Sequence, residues 1–161
     1  MTVQTGIGYD CHPFADGRRL VIGGVELAAD RGLAGHSDAD VLTHAIIDAL
    51  LGAAGLPDIG IQFPDTDERH RDANSIELLR STMRLLAQRG VSVVHVDATV
   101  MLERPKLAPA REQIRAVLAD AIGIDHEHIS VKATRGEGMG FVGREEGAAA
   151  LAVATVQGLA P

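Results

Sequence analysis

The sequence predicts an α+β fold, and three observations lead to it. Apolar and polar residues alternate at the N-terminus as in a β-strand, whereas apolar residues recur at helical spacing further along. The chain has 161 residues, which suits one domain burying roughly 70% of the surface its unfolded form exposes. Its composition is 46% hydrophobic and 23% charged, as in a globular protein. With three Phe, one Tyr and no Trp, the core has to be aliphatic. A single domain over residues 1–161 is expected, without repeats, linkers or low-complexity tracts.

The elements follow in order. Val3, Thr5, Ile7, Tyr9 and Cys11 alternate with Gln4, Gly6, Gly8, Asp10 and His12, a period-two strand with an apolar odd face. Asp10 and His12 therefore share one face, and Cys11 points the other way, where a small core residue is expected. A short strand at 20–22 runs into the Gly23-Gly24 turn. Residues 38–54 read as a helix that Ser37 or Asp38 can cap and that Gly55 and Pro57 end. Residues 58–73 form a loop carrying Phe63-Pro64-Asp65-Thr66-Asp67.

Asn74 caps a second helix, Glu77 completes its capping box, and Gly90 stops it. Residues 91–102 are apolar on both faces, as in a strand covered on both sides. Pro109 opens a third helix that ends near Gly123. A strand at 129–134 precedes a glycine-rich loop through Gly143, and the alanine-rich segment 145–157 reads as a closing helix.

Charge and composition exclude several function classes. Twenty-two acidic against 15 basic residues give a net charge of −7 with no basic cluster, so nucleic acid is not an expected partner. No apolar run reaches the ~20 residues of a membrane span. No basic-then-apolar leader opens the chain, and its one cysteine cannot form an internal disulfide; a cytoplasmic location is expected. An anionic small-molecule substrate would need a metal or a few placed cations to overcome the overall field.

Candidate chemistry gathers in a few places. Asp10 and His12 form a D-x-H pair on a strand, which serves either a metal or a plain solvated face. Asp40, His44 and Asp48 recur every four residues on one face of an otherwise apolar helix. Asp10, His12 and His44 together make two histidines and one carboxylate, a ligand number that leaves the fourth position of catalytic zinc open. His36 and Ser37 precede that helix, whose N-terminal amides can face an anion. Arg104-Pro105-Lys106-Leu107 follows a strand end, and Lys132-Ala133-Thr134-Arg135-Gly136-Glu137 sets cations, a hydroxyl and a carboxylate beside glycines. There is no P-loop, no G-x-G-x-x-G, no nucleophile elbow and no CxxC pair.

Taken in order, G-Y-D-C-H-P-F, L-V-I-G-G-V, H-S-D-A-D-V-L-T-H-A, D-A-L-L-G-A-A-G, D-I-G, F-P-D-T-D, P-K-L, V-K-A-T and G-F-V-G-R-E-E-G resemble the 2-C-methyl-D-erythritol 2,4-cyclodiphosphate synthases over essentially the whole chain. The resemblance implies a mixed four-stranded β-sheet with helices packed on one face, assembling as a homotrimer with active sites between protomers. It implies a phosphorus-oxygen lyase of non-mevalonate isoprenoid biosynthesis, which cyclises 4-diphosphocytidyl-2-C-methyl-D-erythritol 2-phosphate and releases CMP. Asp10, His12 and His44 match the Zn2+ ligands, and Glu137 matches the carboxylate holding Mg2+ or Mn2+ with the substrate diphosphate. His36, Ser37 and Asp65, with Phe63, Thr66 and Asp67 of the same loop, match the surroundings of the methylerythritol phosphate. Asp58 and Gly60 match the ribose positions, Arg104, Lys106 and Leu107 the cytosine pocket, and Thr134 a diphosphate contact. Arg135, Phe141 and Arg144 complete the implied substrate set. Arg144 also falls near the trimer's central cavity, where an isoprenoid diphosphate is implied.

Three positions depart from the family pattern: Cys11 replaces a small aliphatic residue, Arg135 a Thr or Ser, and Glu145 a glycine. Two rival readings use the same ligands: a metal-dependent phosphohydrolase, and a zinc-stabilised trimeric binding module. The module would need a fourth ligand, and the sequence offers none beyond Asp40, which reads as a residue standing behind the ligands.

Overall fold

The structure, a computed structural model, describes residues 1–68 and 73–158. The expected 58–73 loop is therefore described except at 69–72, and the end of the expected domain, 159–161, lies outside the described residues. The fold is α+β, a mixed sheet with helices packed on one face. The strands are β1 (Thr2–Ala15), β2 (Leu20–Ile22), β3 (Val25–Leu27), β4 (Gly32–Leu33), β5 (Val91–Met101), β6 (Ile129–Thr134) and β7 (Gly147–Gly158). The helices are α1 (Val41–Ala53), α2 (Ile59–Gln62), α3 (Ser75–Gln88), α4 (Arg111–Ile122) and α5 (Gly140–Gly143).

The main sheet has five strands in the order β4-β1-β7-β5-β6, rather than four. The addition is the two-residue β4, which pairs with the end of β1 through Phe14↔Leu33 and Ala15↔Gly32. β7 runs antiparallel to β1 and β5, and β6 runs parallel to β5. β2 and β3 form a separate hairpin around Gly23-Gly24.

The segment expected as a closing helix is β7, the centre of the sheet. Ala148, Ala150, Ala152, Ala154 and Val156 are fully buried on one face, while Leu151 and Val153 are exposed on the other. Period two is thus present in the Leu-Ala-Val-Ala-Thr-Val run, and tertiary packing overrides the helix propensity of alanine. Small side chains are needed there because α1 lies directly on the sheet. A Cβ on Gly8 would stand 1.9 Å from the Ala45 carbonyl oxygen, and one on Gly6 would stand 2.1 Å from that of Ala49. Glycines on β1 and alanines on β7 form the trough that lets the helix backbone approach.

Val41, Leu42, Ala45, Ile46, Ala49 and Leu50 of α1 are fully buried, and Leu79 and Leu86 of α3 with Ile114 and Leu118 of α4 complete the core. Asp40, not Ser37 or Asp38, caps α1, because its carboxylate accepts from the Thr43 amide at 3.0 Å and from the Gly23 and Gly24 amides. Asn74 caps α3 as expected, but the Glu77 carboxylate pairs with Arg80 at 2.6 Å instead of closing a capping box. Ala108–Ala110, which contains Pro109, forms a 3-10 turn leading into α4, and left-handed Gly123 ends that helix.

Among the described residues, no helix covers the sheet's other face. Val3 is 68% exposed, Ile7 67% and Tyr9 53%, and Cys11 is exposed beside them. Cys11 is therefore not in the core of the chain. β5 likewise buries only one side, through Val96, Ala98 and Val100. The sequence pattern shows which residues share a face, but not which face the helices cover. No described helix is long and apolar enough to cross a membrane.

Candidate metal centre

Strand alternation puts Asp10 and His12 on the inner face of β1, and α1 brings His44 over them. One ligand atom from each residue lies within 4.8 Å of the others, forming a three-ligand metal-binding cluster. Asp10 Oδ2 is 2.9 Å from His12 Nε2 and 3.0 Å from His44 Nδ1, and the two ring nitrogens are 3.4 Å apart. A Cβ on Gly35 would come within 3.1 Å of His12 Cε1, so the glycine gives the ring its place.

Burial would raise the Asp10 pKa, but hydrogen bonds from His12 and His44, together with their charges, hold it at about 2. Burial acts to lower the His44 pKa, yet the hydrogen bond and charge of Asp10, with Asp40 and Asp38 behind, raise it overall. Deprotonated oxygen and imidazole donors on three sides, with no fourth ligand among the described residues, suit a divalent ion with an open coordination position.

The four-residue stripe on α1 divides into separate roles. The Asp40 carboxylate is fully buried against Gly23, Gly24 and Thr43, so it is not a ligand and bonds no ligand side chain; its tie to His44 is the helix bond from the His44 amide to the Asp40 carbonyl at 3.0 Å. Asp48 accepts from the Ile59 amide at 2.8 Å and so braces α2. His44 alone reaches the cluster. Its second ring nitrogen meets Ser75 Oγ at 2.8 Å and Ser37 Oγ at 3.1 Å, and Ser75 donates to Asp38. Ser75 and Asp38 carry no signal of a site in the sequence, since the loop fold has to join positions 37 apart.

Most of the other candidates line two cavities, and Arg104 lines a third with Lys106, Arg135 and Glu145. One, of about 260 Å³, opens on the cluster and is lined by His12, His36, Ser37, His44, Gly60, Phe63 and Asp65. Asp58 stands at its edge as the cap of α2, accepting from the Ile61 amide at 3.1 Å. Thr66 and Asp67 follow Asp65 in the same turn, with the Asp67 amide donating to the Pro64 carbonyl. The second cavity, of about 330 Å³, is lined by Lys106, Leu107, Thr134, Arg135 and Glu137 and shares no lining residue with the first.

Glu137 is held out in a left-handed turn, φ 52°, with Arg135 3.4 Å from its carboxylate. Glu145 is also left-handed, φ 57°, the conformation glycine adopts most easily. Its side chain pairs with Arg104 at 2.5 Å and its carbonyl with Arg31 at 2.8 Å. Phe141 is partly exposed, and Arg144 pairs with Glu146 at 3.0 Å.

Fold and cluster together define a metal-binding α+β domain with a cavity of about 260 Å³ beside its ligands. The YgbB family model matches residues 3–157. The 2-C-methyl-D-erythritol 2,4-cyclodiphosphate synthase of Salinibacter ruber is 54% identical, over 96% of this chain and 99% of that protein. The bifunctional enzyme IspD/IspF of Anaeromyxobacter dehalogenans is 59% identical over 94% of the chain, which spans only 39% of that longer protein. The solved IspF from Plasmodium falciparum, in complex with CDP, aligns with a TM-score of 0.85 at 29% identity, covering 98% of this chain and 97% of that one. The chain belongs to the YgbB family, that of the 2-C-methyl-D-erythritol 2,4-cyclodiphosphate synthases.

Proposed function

We propose that this chain cyclises 4-diphosphocytidyl-2-C-methyl-D-erythritol 2-phosphate to the 2,4-cyclodiphosphate with release of CMP. The carrying observation is the open Asp10/His12/His44 cluster beside the His36–Ser37 and Asp58–Asp65 cavity. An oxygen of the substrate's 2-phosphate bonds to the β-phosphorus, and the bond from that phosphorus to the oxygen of the α-phosphate breaks. CMP leaves with the electron pair. The nucleophile belongs to the substrate, so the protein needs no Ser, Cys or His nucleophile.

Asp10, His12 and His44 would hold Zn2+, and Glu137 would hold Mg2+ or Mn2+ with the substrate phosphates. When bound, the ions supply Lewis-acid polarisation and offset charge gathering on the phosphoryl oxygens. The chain's own residues fold the substrate for in-line attack, a gain from proximity and orientation. His36 and Ser37, with Phe63, Asp65, Thr66 and Asp67, position the methylerythritol phosphate, while Asp58 and Gly60 hold the ribose. Arg104, Lys106 and Leu107 receive the cytosine, and Thr134, Arg135 and Phe141 border the diphosphate.

His36, Ser37, Gly60, Phe63 and Asp65 line one cavity and Lys106, Leu107, Thr134 and Arg135 a separate one within one chain. That separation supports a homotrimer in which neighbouring protomers complete each site, and the exposed apolar face around Val3, Ile7 and Tyr9 supplies a surface for assembly. Arg144 is then the candidate contact for an isoprenoid diphosphate in the central cavity, and the single cysteine fits a cytoplasmic location. The test is CMP release with metal-replete protein, which should disappear in a folded His44→Ala variant. Undiminished turnover after complete metal removal would overturn the reading.

A further inference from the structure

We propose that Asp38 and Ser75 are positioning residues that fix the tautomer of His44 and so present its Nδ1 to the metal. The inference rests on the metal reading above and extends it to groups that touch no ligand atom of the cluster. Asp38 receives two bonds from one residue: Ser75 N donates to Oδ2 at 3.0 Å, and the Ser75 hydroxyl donates to Oδ1. A carboxylate only accepts, so the hydroxyl proton of Ser75 is committed to Asp38. Ser75 Oγ is left with lone pairs, and it stands 2.8 Å from His44 Nε2.

A hydrogen bond at that contact requires the proton to sit on Nε2. In the neutral ring Nδ1 then carries the lone pair, and Nδ1 is the atom 3.0 Å from Asp10 Oδ2 and 3.4 Å from His12 Nε2. The order of donation is fixed from Asp38 outward: carboxylate, hydroxyl, imidazole N–H, free Nδ1. Ser37 Oγ, 3.1 Å from Nε2, accepts from the Ala39 amide at 3.2 Å. Its hydroxyl proton stays available for the cavity.

Ser75 and Thr82 of α3 are fully buried, and Ser75 opens that helix next to its cap, Asn74. The relay thus ties the metal ligand on α1 to the start of α3 through the 36–40 loop. Partners of this kind change metal affinity by about ten- to a hundredfold when removed from histidine ligands.

The test uses the full-length protein with zinc as the probe. Zinc affinity is measured by competition with a chromophoric chelator, and His44 is followed by nitrogen-15 NMR of histidine-labelled, zinc-loaded protein. Wild type should show His44 ligated through Nδ1, with a proton on Nε2. Ser75→Ala and Asp38→Asn should each weaken zinc binding by about tenfold or more, and Ser75→Thr should stay within about threefold of wild type. A folded Ser75→Ala that binds zinc as wild type does would overturn the proposal. So would a wild-type spectrum with His44 ligated through Nε2, a result that needs no variant to fold. Wild type that takes up no zinc would overturn the metal reading itself, and is distinguished from failure of the relay alone.

Discussion

The Asp10 carboxylate and the His44 imidazole meet at 3.0 Å although 34 positions separate them in the chain. The contact exists because α1 rests on glycine and alanine backbone. A longer side chain at position 6 or 8 would lift His44 away from the strand. Asp10→Ala should therefore abolish zinc uptake in equilibrium dialysis while the circular dichroism spectrum stays that of the wild type. Cys11→Val, one residue along and on the opposite face, should keep full uptake.

The trough itself can be tested by stability. Gly8→Ala puts a methyl group 1.9 Å from the Ala45 carbonyl oxygen, and overpacking of this kind costs about 1–3 kcal/mol or more. Gly52 lies on the exposed side of α1, where an added Cβ would meet no atom within 4 Å. Gly52→Ala should stabilise by about 0.5–1 kcal/mol through helix propensity. Denaturant unfolding should move the two midpoints in opposite directions.

Asp40 gives a third contrast. It is fully buried and serves the Gly23, Gly24 and Thr43 amides together with the Thr43 hydroxyl. Asp40→Ala leaves those donors unsatisfied and removes a helix cap, at a cost of about 3 kcal/mol or more. The zinc stoichiometry of the remaining folded protein should be unchanged, because Asp40 is not a ligand. Loss of metal from folded Asp40→Ala would contradict that assignment.

Protons and metal compete at His44. Its pKa is raised in the folded metal-free protein, chiefly by Asp10 acting against burial. The stabilisation from this protonated ring is fully present below about 6.5, the unfolded value, and is lost as pH rises through the folded value. Asp10, held at about 2, contributes above about 3.9 and loses its contribution as pH falls toward 2. Metal-free wild type should therefore lose stability relative to metal-free His44→Gln as pH rises above about 6.5. Zinc affinity should rise over the same interval. Matched unfolding curves and chelator titrations across pH check both signs.

Much of the cluster is legible in the amino-acid sequence. The alternation of β1 puts Asp10 and His12 on one face, and the helical period of 41–53 delivers His44. Other parts could not be read, each for a physical reason. β7 is rich in alanine, a helix former, and only its place beneath α1 explains why small residues are needed there. Cys11 lies on an apolar face that resembles a core face in sequence but is exposed in the chain. The Asp38–Ser75 bond joins two ordinary polar residues through a loop path that has no periodicity to announce it. Glu145 shows the converse: its departure from glycine is visible in the sequence, and the structure adds that its backbone is left-handed and its carboxylate clasps Arg104.

The two cavities make a further expectation. If neighbouring protomers complete one site, His44→Ala and Glu137→Ala proteins are each inactive alone but damage different halves of that site. Unfolded together and reassembled as mixed trimers, they should regain a measurable fraction of wild-type CMP release. No recovery, with mixed trimers verified by native mass spectrometry, would place both residues in one protomer's site.

The central claim is that the metal cluster serves an intramolecular attack rather than attack by water. Phosphorus NMR of the zinc- and magnesium-loaded protein turning over 4-diphosphocytidyl-2-C-methyl-D-erythritol 2-phosphate tests this most directly. The account predicts a cyclic diphosphate and CMP appearing in equal amounts. An uncyclised phosphate product carrying oxygen-18 from labelled water would contradict it and identify a hydrolase built on the same ligands.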